Sequence, residues 1–72
     1  MLETRRINNL FAYLKNSTEN EIIVRTTKIE GAWDDIQFDA CSAGFSVSIF
    51  QNPEYIARHE FAECYRLTRK AN

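Results

Sequence analysis

The sequence predicts a small α+β fold with the element order α-β-β-β-α, in which a three-stranded antiparallel sheet carries two helices packed on one face. Three observations predict this class. Apolar residues recur at helical spacing near the start of the chain, the middle alternates between apolar and polar side chains as strands do, and an Asn-Pro pair opens a second helical pattern. The length of 72 residues allows one domain, residues 1–72.

The first helix is predicted over residues 2–15. One apolar stripe follows the i, i+3, i+4, i+7 spacing through Ile7, Leu10, Phe11 and Leu14. The polar residues 16–20 have the composition of a turn and end this helix. Residues 21–29 follow as the first strand, because they are rich in β-branched side chains.

A bulged hairpin is predicted next, over residues 36–50. Residues 36–41 and 45–50 alternate between apolar and polar side chains, as half-buried strands do. Between them, three residues that end in Gly44 suit a type I turn followed by a left-handed residue. The face turned toward the helices would carry Ile36, Phe38, Ala40, Phe45, Val47 and Ile49.

The last helix is predicted to begin at Asn52 and Pro53 and to run to about residue 70, because Asn is a good N-cap and Pro is tolerated at the first helical position. Glu60 then falls inside its apolar stripe, where a carboxylate needs a partner or a raised pKa. We expect Glu60 to reach the edge of the stripe, or to pair with an arginine such as Arg5 or Arg6, rather than to act as a general acid. The predicted core comprises Leu10, Phe11, Leu14, Phe38, Val47, Ile49, Phe61 and Leu67.

Composition narrows the functional classes. The formal net charge of −1 argues against strong generic affinity for nucleic acid, and the apolar runs are too short for a membrane span. With two cysteines and one histidine, we expect a cytoplasmic protein with reduced thiols, no metal and no cofactor. The stretch that begins at His59 lacks the second histidine of a zinc-protease helix, and no nucleophile motif is visible, so we expect no enzyme.

The most informative feature is an acidic aromatic loop, residues 30–35, followed by a further aspartate. Its members are Glu30, Trp33, Asp34, Asp35 and Asp39. A large aromatic side chain contributes much contact area to an interface, and neighbouring carboxylates steer it toward a basic surface. The sequence therefore predicts a protein-binding site here, although the indole could instead fold over the sheet edge as a lid. In size, acidity and lack of motifs the chain resembles the small regulators and inhibitors that bacteriophages and mobile elements encode.

An alternative function follows from the element order, which resembles that of the double-stranded-RNA-binding domain over nearly the whole chain. That family has a Gly-Pro-X-His type loop where this chain has Gly31-Ala32-Trp33-Asp34, and only Ala57 and Arg58 fit its last helix. The resemblance implies this fold and a role in binding nucleic-acid phosphates, with weaker binding than in that family. The residues expected to carry that role are Arg58, Arg66, Arg69 and Lys70. Homodimerisation through an open sheet face or an exposed edge strand is a further possibility.

Overall fold

The computed structural model describes residues 1–71 and contains three helices and one four-stranded sheet. In chain order the elements are β1 (Leu2–Glu3), α1 (Leu10–Lys15), β2 (Glu21–Arg25), α2 (Trp33–Ser42), β3 (Phe45–Gln51), α3 (Pro53–Ala57) and β4 (Glu63–Arg69). A single 3-10 turn, Thr26–Lys28, follows β2. The α+β class is therefore confirmed, whereas the predicted count of three strands and two helices is wrong.

The strand order across the sheet is β1-β2-β4-β3. The last strand of the chain lies at the centre, antiparallel to β2 on one side and to β3 on the other, and β1 adds a short parallel pair beside β2. The longest pairing joins β3 and β4 over seven residues, from Phe45 opposite Arg69 to Gln51 opposite Glu63. As a consequence, β3 forms one edge of the sheet.

Alternation along the strands divides the sheet into two faces. The face that α1 and α2 cover holds the main core, which consists of Ile7, Leu10, Leu14, Ile22, Val24, Ile29, Ile36, Ala40, Ala43, Phe45, Tyr65 and Leu67. On the other face, α3 and the turn after it cover one end through a smaller cluster of Tyr55, Ala62 and Cys64. The rest of that second face is open.

The first helix is shorter than predicted and begins only at Leu10. Asn9 caps it by accepting a hydrogen bond from the backbone N–H of Ala12 at 3.0 Å, which fixes the start of the helix. Leu2–Glu3 pairs with β2 instead, so the predicted helix over residues 2–15 is wrong in its first half. The predicted apolar stripe is confirmed in part, because Leu10 and Leu14 are buried.

Residues 36–41 lie in helix α2 and not in a strand, which is the largest correction to the prediction. The apolar residues Ile36, Ala40 and Ala43 follow the helical spacing i, i+4, i+7 and are buried, while the side chain of Phe38 is 71% exposed. Two aspartates in the first turn complement the positive end of the helix dipole. Gly44, with φ of 85°, then reverses the chain into β3.

The predicted last helix ends after one and a half turns, although its cap is as expected: Asn52 accepts from the N–H of Glu54 at 3.0 Å. It stops at Ala57 because His59 takes the left-handed conformation, with φ of 58°. The N–H of Glu60 then donates to the carbonyl of Tyr55 at 2.9 Å, which closes a Schellman-type end. Residues 63–69 become the central strand, so the helical face drawn through them is wrong.

As a consequence, only part of the predicted core is buried. Leu10, Leu14 and Leu67 are buried as expected, and Val47 is half-buried. The other four side chains are exposed: Phe11, Phe38, Ile49 and Phe61. Because the double-stranded-RNA-binding resemblance depended on the order α-β-β-β-α, the observed order β-α-β-α-β-α-β removes it.

Candidate protein-interaction surface

The acidic aromatic stretch is not a loop but the first half of α2 and the residues that lead into it. Trp33 begins the helix, and its ring stacks on Tyr65 of β4, with centroids 6.0 Å apart and planes inclined by 17°. The indole is still 38% exposed. One side of the Trp33 ring therefore covers the sheet and the other faces solvent.

The carboxylates of this stretch point in different directions. Glu30 precedes the helix and lies 3.5 Å from the guanidinium of Arg6. At 100° per residue, Asp35 and Asp39 share the flank of α2 that is remote from β3, whereas Asp34 lies on the outer side near Phe38. The five predicted binding residues thus form no single cluster, and Asp34 is the carboxylate that shares the outer side of α2 with the exposed ring of Phe38.

A shallow cleft separates α2 from β3. It is lined by Gln37, Phe38, Cys41, Phe45, Ser46, Val47 and Lys70. Across this cleft the ammonium group of Lys70 donates a hydrogen bond to Sγ of Cys41 at 3.0 Å. The ring of Phe38 stands at the side of this cleft and is the most exposed of the large apolar side chains.

The outer edge of β3 continues this apolar surface. None of the seven residues of Phe45–Gln51 carries a charge, and Ile49 is 45% exposed. We call the outer side of α2 around Phe38, the adjoining cleft and the edge of β3 the α2–β3 surface. An exposed edge strand with an apolar flank is a ready template for pairing with another chain.

Sequence reasoning missed this surface because it assigned both Phe38 and Ile49 to the core. Their hydropathy carried no sign that they would be exposed. One signal was available for Phe38: the helical spacing of Ile36, Ala40 and Ala43 completes a buried stripe that leaves Phe38 on the opposite side.

The four basic residues of the alternative prediction do not converge. Arg66 covers the ring of Phe50 at 4.6 Å on the open face of the sheet, and Arg58 covers Tyr55 at 5.0 Å near one end of the same face. Arg69 covers Phe45 at 4.6 Å and donates to carbonyls of the segment before β2. Because Lys70 bonds to Cys41 on the side of α2, no continuous phosphate-binding row forms.

Glu60 is exposed and lies in the turn after α3, not in a helical stripe. Its carboxylate lies 3.8 Å from the guanidinium of Arg25 and 3.9 Å from that of Arg58. Pairing with arginine is confirmed in kind, whereas the predicted partners Arg5 and Arg6 are wrong.

The only buried acidic residue among those described is Glu3, and its carboxylate is hydrogen-bonded to residues of β1–α1. Its carboxylate accepts hydrogen bonds from the backbone and side chain of Arg5 and, at 2.8 Å, from the hydroxyl of Tyr13. These bonds, that from the Arg5 side chain first, lower the pKa of Glu3 from 4.5 to about 2. Burial of the ring and the bond to Glu3 raise the pKa of Tyr13 to about 12. The cluster thus ties β1 to α1.

The thiols are both free, with Cys41 exposed and Cys64 buried. Burial raises the pKa of Cys64, so this thiol is a weak nucleophile. Within residues 1–71, no group of three or more histidine, cysteine, aspartate or glutamate side chains is arranged to hold a metal ion. The described helices also include none with the length and apolar character needed to cross a membrane.

Comparison of the chain with protein-family models, with curated proteins and with solved structures finds no match. The α2–β3 surface is therefore the feature of this molecule that bears on its function.

Proposed function

We propose that this chain is a non-enzymatic protein-interaction module that binds its partner through the α2–β3 surface. The observation that carries the proposal is the exposure of Phe38, at 71%, beside an uncharged edge strand. A ring in this position gains contact area on binding without losing packing in the domain, as expected of an interface anchor. Trp33 extends the same surface toward the start of α2.

The carboxylates define the kind of partner. Asp34 and Asp35 are exposed at the positive end of the helix dipole, where their charge is stabilised and remains available to a second molecule. A partner with a basic rim around an apolar pocket complements this arrangement. In biological terms we propose a cytoplasmic regulator or inhibitor of the kind that bacteriophages and mobile elements encode, in keeping with its size and its weakly acidic charge.

Nucleic-acid binding is the second candidate, and one observation favours it. Arg66 stacked on Phe50 and Arg58 stacked on Tyr55 both lie toward the open face of the sheet, where stacked bases could replace water. We rank it lower because the net charge is −1 and the remaining predicted cations, Arg69 and Lys70, are engaged elsewhere.

The test is affinity capture from cells of the source organism, with the folded chain immobilised and bound proteins quantified by mass spectrometry. Phe38→Ala should weaken capture of the specific partner by about 30-fold, the equivalent of a 2 kcal/mol hot spot. Phe61→Ala is the matched control, because Phe61 is 57% exposed on another part of the molecule. Asp34→Asn with Asp35→Asn should mainly slow association, and less so at high salt.

Equal capture by wild type and Phe38→Ala would contradict the proposal. Capture that nuclease treatment abolishes, and that Arg66→Ala weakens, would support the nucleic-acid alternative instead. Trp33→Ala is less informative on its own, since loss of the stack on Tyr65 also affects the fold.

A further inference from the structure

We infer that two copies of this chain pair through the outer edges of their β3 strands, antiparallel and about a two-fold axis, to form one continuous eight-stranded sheet. The inference rests on the proposed function, because it uses the α2–β3 surface and names a second copy of this chain as its occupant. Four features of the described residues support it.

The first feature is the regularity of the edge. All seven residues of β3 pair in continuous register with β4, from Phe45 opposite Arg69 to Gln51 opposite Glu63, so no bulge twists the edge away. The strand also lacks charged residues, proline and glycine. Charged residues, proline and bulges are devices with which proteins protect exposed edges, and a strand without them is competent to add another strand.

The second feature is that β3 is self-complementary. A two-fold axis through Ser48 sets each Ser48 opposite the other and places Val47 opposite Ile49 of the second copy. Apolar β-branched residues that meet across antiparallel strands stabilise the pair, and no like charges are brought together. The exposed fraction of Ile49, 45%, would then be covered.

The third feature is the position of α2. The chain reverses at Gly44, so α2 runs antiparallel to β3 and packs beside it. Phe38 lies near the middle of the helix and Ser48 at the middle of the strand. Phe38 lines the cleft beside Ser46 and Val47 of this strand, so the same axis places both Phe38 side chains on one face of the joined sheet, where the approach of the second copy would cover part of each ring.

The fourth feature is charge complementarity. The first turn of α2, which carries Asp34 on the outer side of the helix, lies toward the end of β3, because the chain reverses at Gly44. Lys70 lies at the start of β3, where its backbone N–H donates to the carbonyl of Gly44 at 2.9 Å. Antiparallel pairing places the acidic end of each copy beside the basic end of the other. With a net charge of −1 on each chain, long-range repulsion between copies is small.

Sedimentation equilibrium of the full chain tests the inference, at concentrations from about 1 to about 500 µM. We expect the mass to rise from that of a monomer to that of a dimer with increasing concentration. Ile49→Lys should raise the dissociation constant by at least about tenfold, because it places a charge at the joined edge. Ile56→Lys is the matched control, since Ile56 is 52% exposed on α3, and it should leave the constant unchanged.

Ser48→Lys provides a second variant if Ile49→Lys unfolds, because Ser48 is exposed on the opposite face of the same strand. Hydrogen exchange adds a positional readout, in which the amides of β3 gain protection as concentration rises. A chain that stays monomeric throughout, or a dimer indifferent to both lysines, overturns the inference. A monomer that still captures a different protein through Phe38 overturns the dimer and leaves the proposed function standing.

Discussion

The carboxylate of Glu3 should give this domain an acid-sensitive stability that a single substitution removes. Its pKa is lowered from 4.5 to about 2 by hydrogen bonds from Arg5 and Tyr13, so the ionised form is favoured by folding. A group whose pKa is lower in the folded state stabilises the fold fully above its unfolded pKa, and that stabilisation is lost as pH falls toward the folded pKa. For Glu3 the relevant window is therefore from about pH 5 down to about pH 2.

The magnitude follows from the pKa and the exposure of the partner. A pKa lowered from 4.5 to about 2 corresponds to at most about 3 kcal/mol in the free energy of unfolding. Because the Arg5 side chain is 81% exposed, solvent and salt screen its attraction for Glu3. We therefore expect Glu3→Gln to lower the free energy of unfolding by about 1–2 kcal/mol at pH 7, and by much less at pH 2.

Urea unfolding followed by far-ultraviolet circular dichroism, at a series of pH values from about 7 to about 2, measures this difference. Tyr13→Phe is the control, because it removes the 2.8 Å hydrogen bond and keeps the carboxylate beside Arg5. The control should be less stable than wild type but keep most of the pH dependence. Curves for wild type and Glu3→Gln that stay parallel through the whole range would refute the argument.

Two further predictions concern the fold. Phe45→Ala should cost about 3–5 kcal/mol, because the ring is fully buried, whereas Phe61→Ala should cost under about 0.5 kcal/mol; comparable losses for both in chemical denaturation would show that Phe61 is also packed. His59→Gly should raise the free energy of unfolding by up to about 1 kcal/mol, because His59 has φ of 58° and glycine adopts this conformation without strain. A fall in melting temperature for His59→Gly would show that the imidazole makes a stabilising contact that offsets the strain.

The sequence was most informative where local chemistry decides the structure. Asn52 and Pro53 mark the start of a helix by capping and by a fixed φ, and both effects depend only on adjacent residues. The strand predicted over residues 21–29 is present over 21–25, whereas residues 26–28 form a 3-10 turn instead. The ends of elements were harder to predict. For example, α3 ends after Ala57 because His59 adopts a left-handed conformation, which the amino-acid composition does not indicate.

The two largest errors concern segments whose secondary structure depends on tertiary contacts. Residues 36–41 alternate in hydropathy but also satisfy a helical stripe, and the short segment is helical because Ile36 and Ala40 pack into the main core. Residues 63–69 suit a helix as well as a strand, yet they lie between β2 and β3, where a strand completes hydrogen bonds on both sides. In neither case could one sequence show which neighbours the segment would meet.

Only part of the candidate site could be predicted, because a sequence does not show which neighbours cover a side chain. Trp33 and Asp34 were selected by charge and aromatic character, which are visible in sequence, and both lie on or beside the α2–β3 surface. Phe38 and Ile49 were assigned to the core because hydropathy identifies side chains that favour burial without specifying which molecule buries them. Pairing of two β3 edges would bury both residues between copies of the chain. The misassigned core residues are thus the ones on which the dimer experiment depends, and Ile49→Lys tests whether their apolar character serves association.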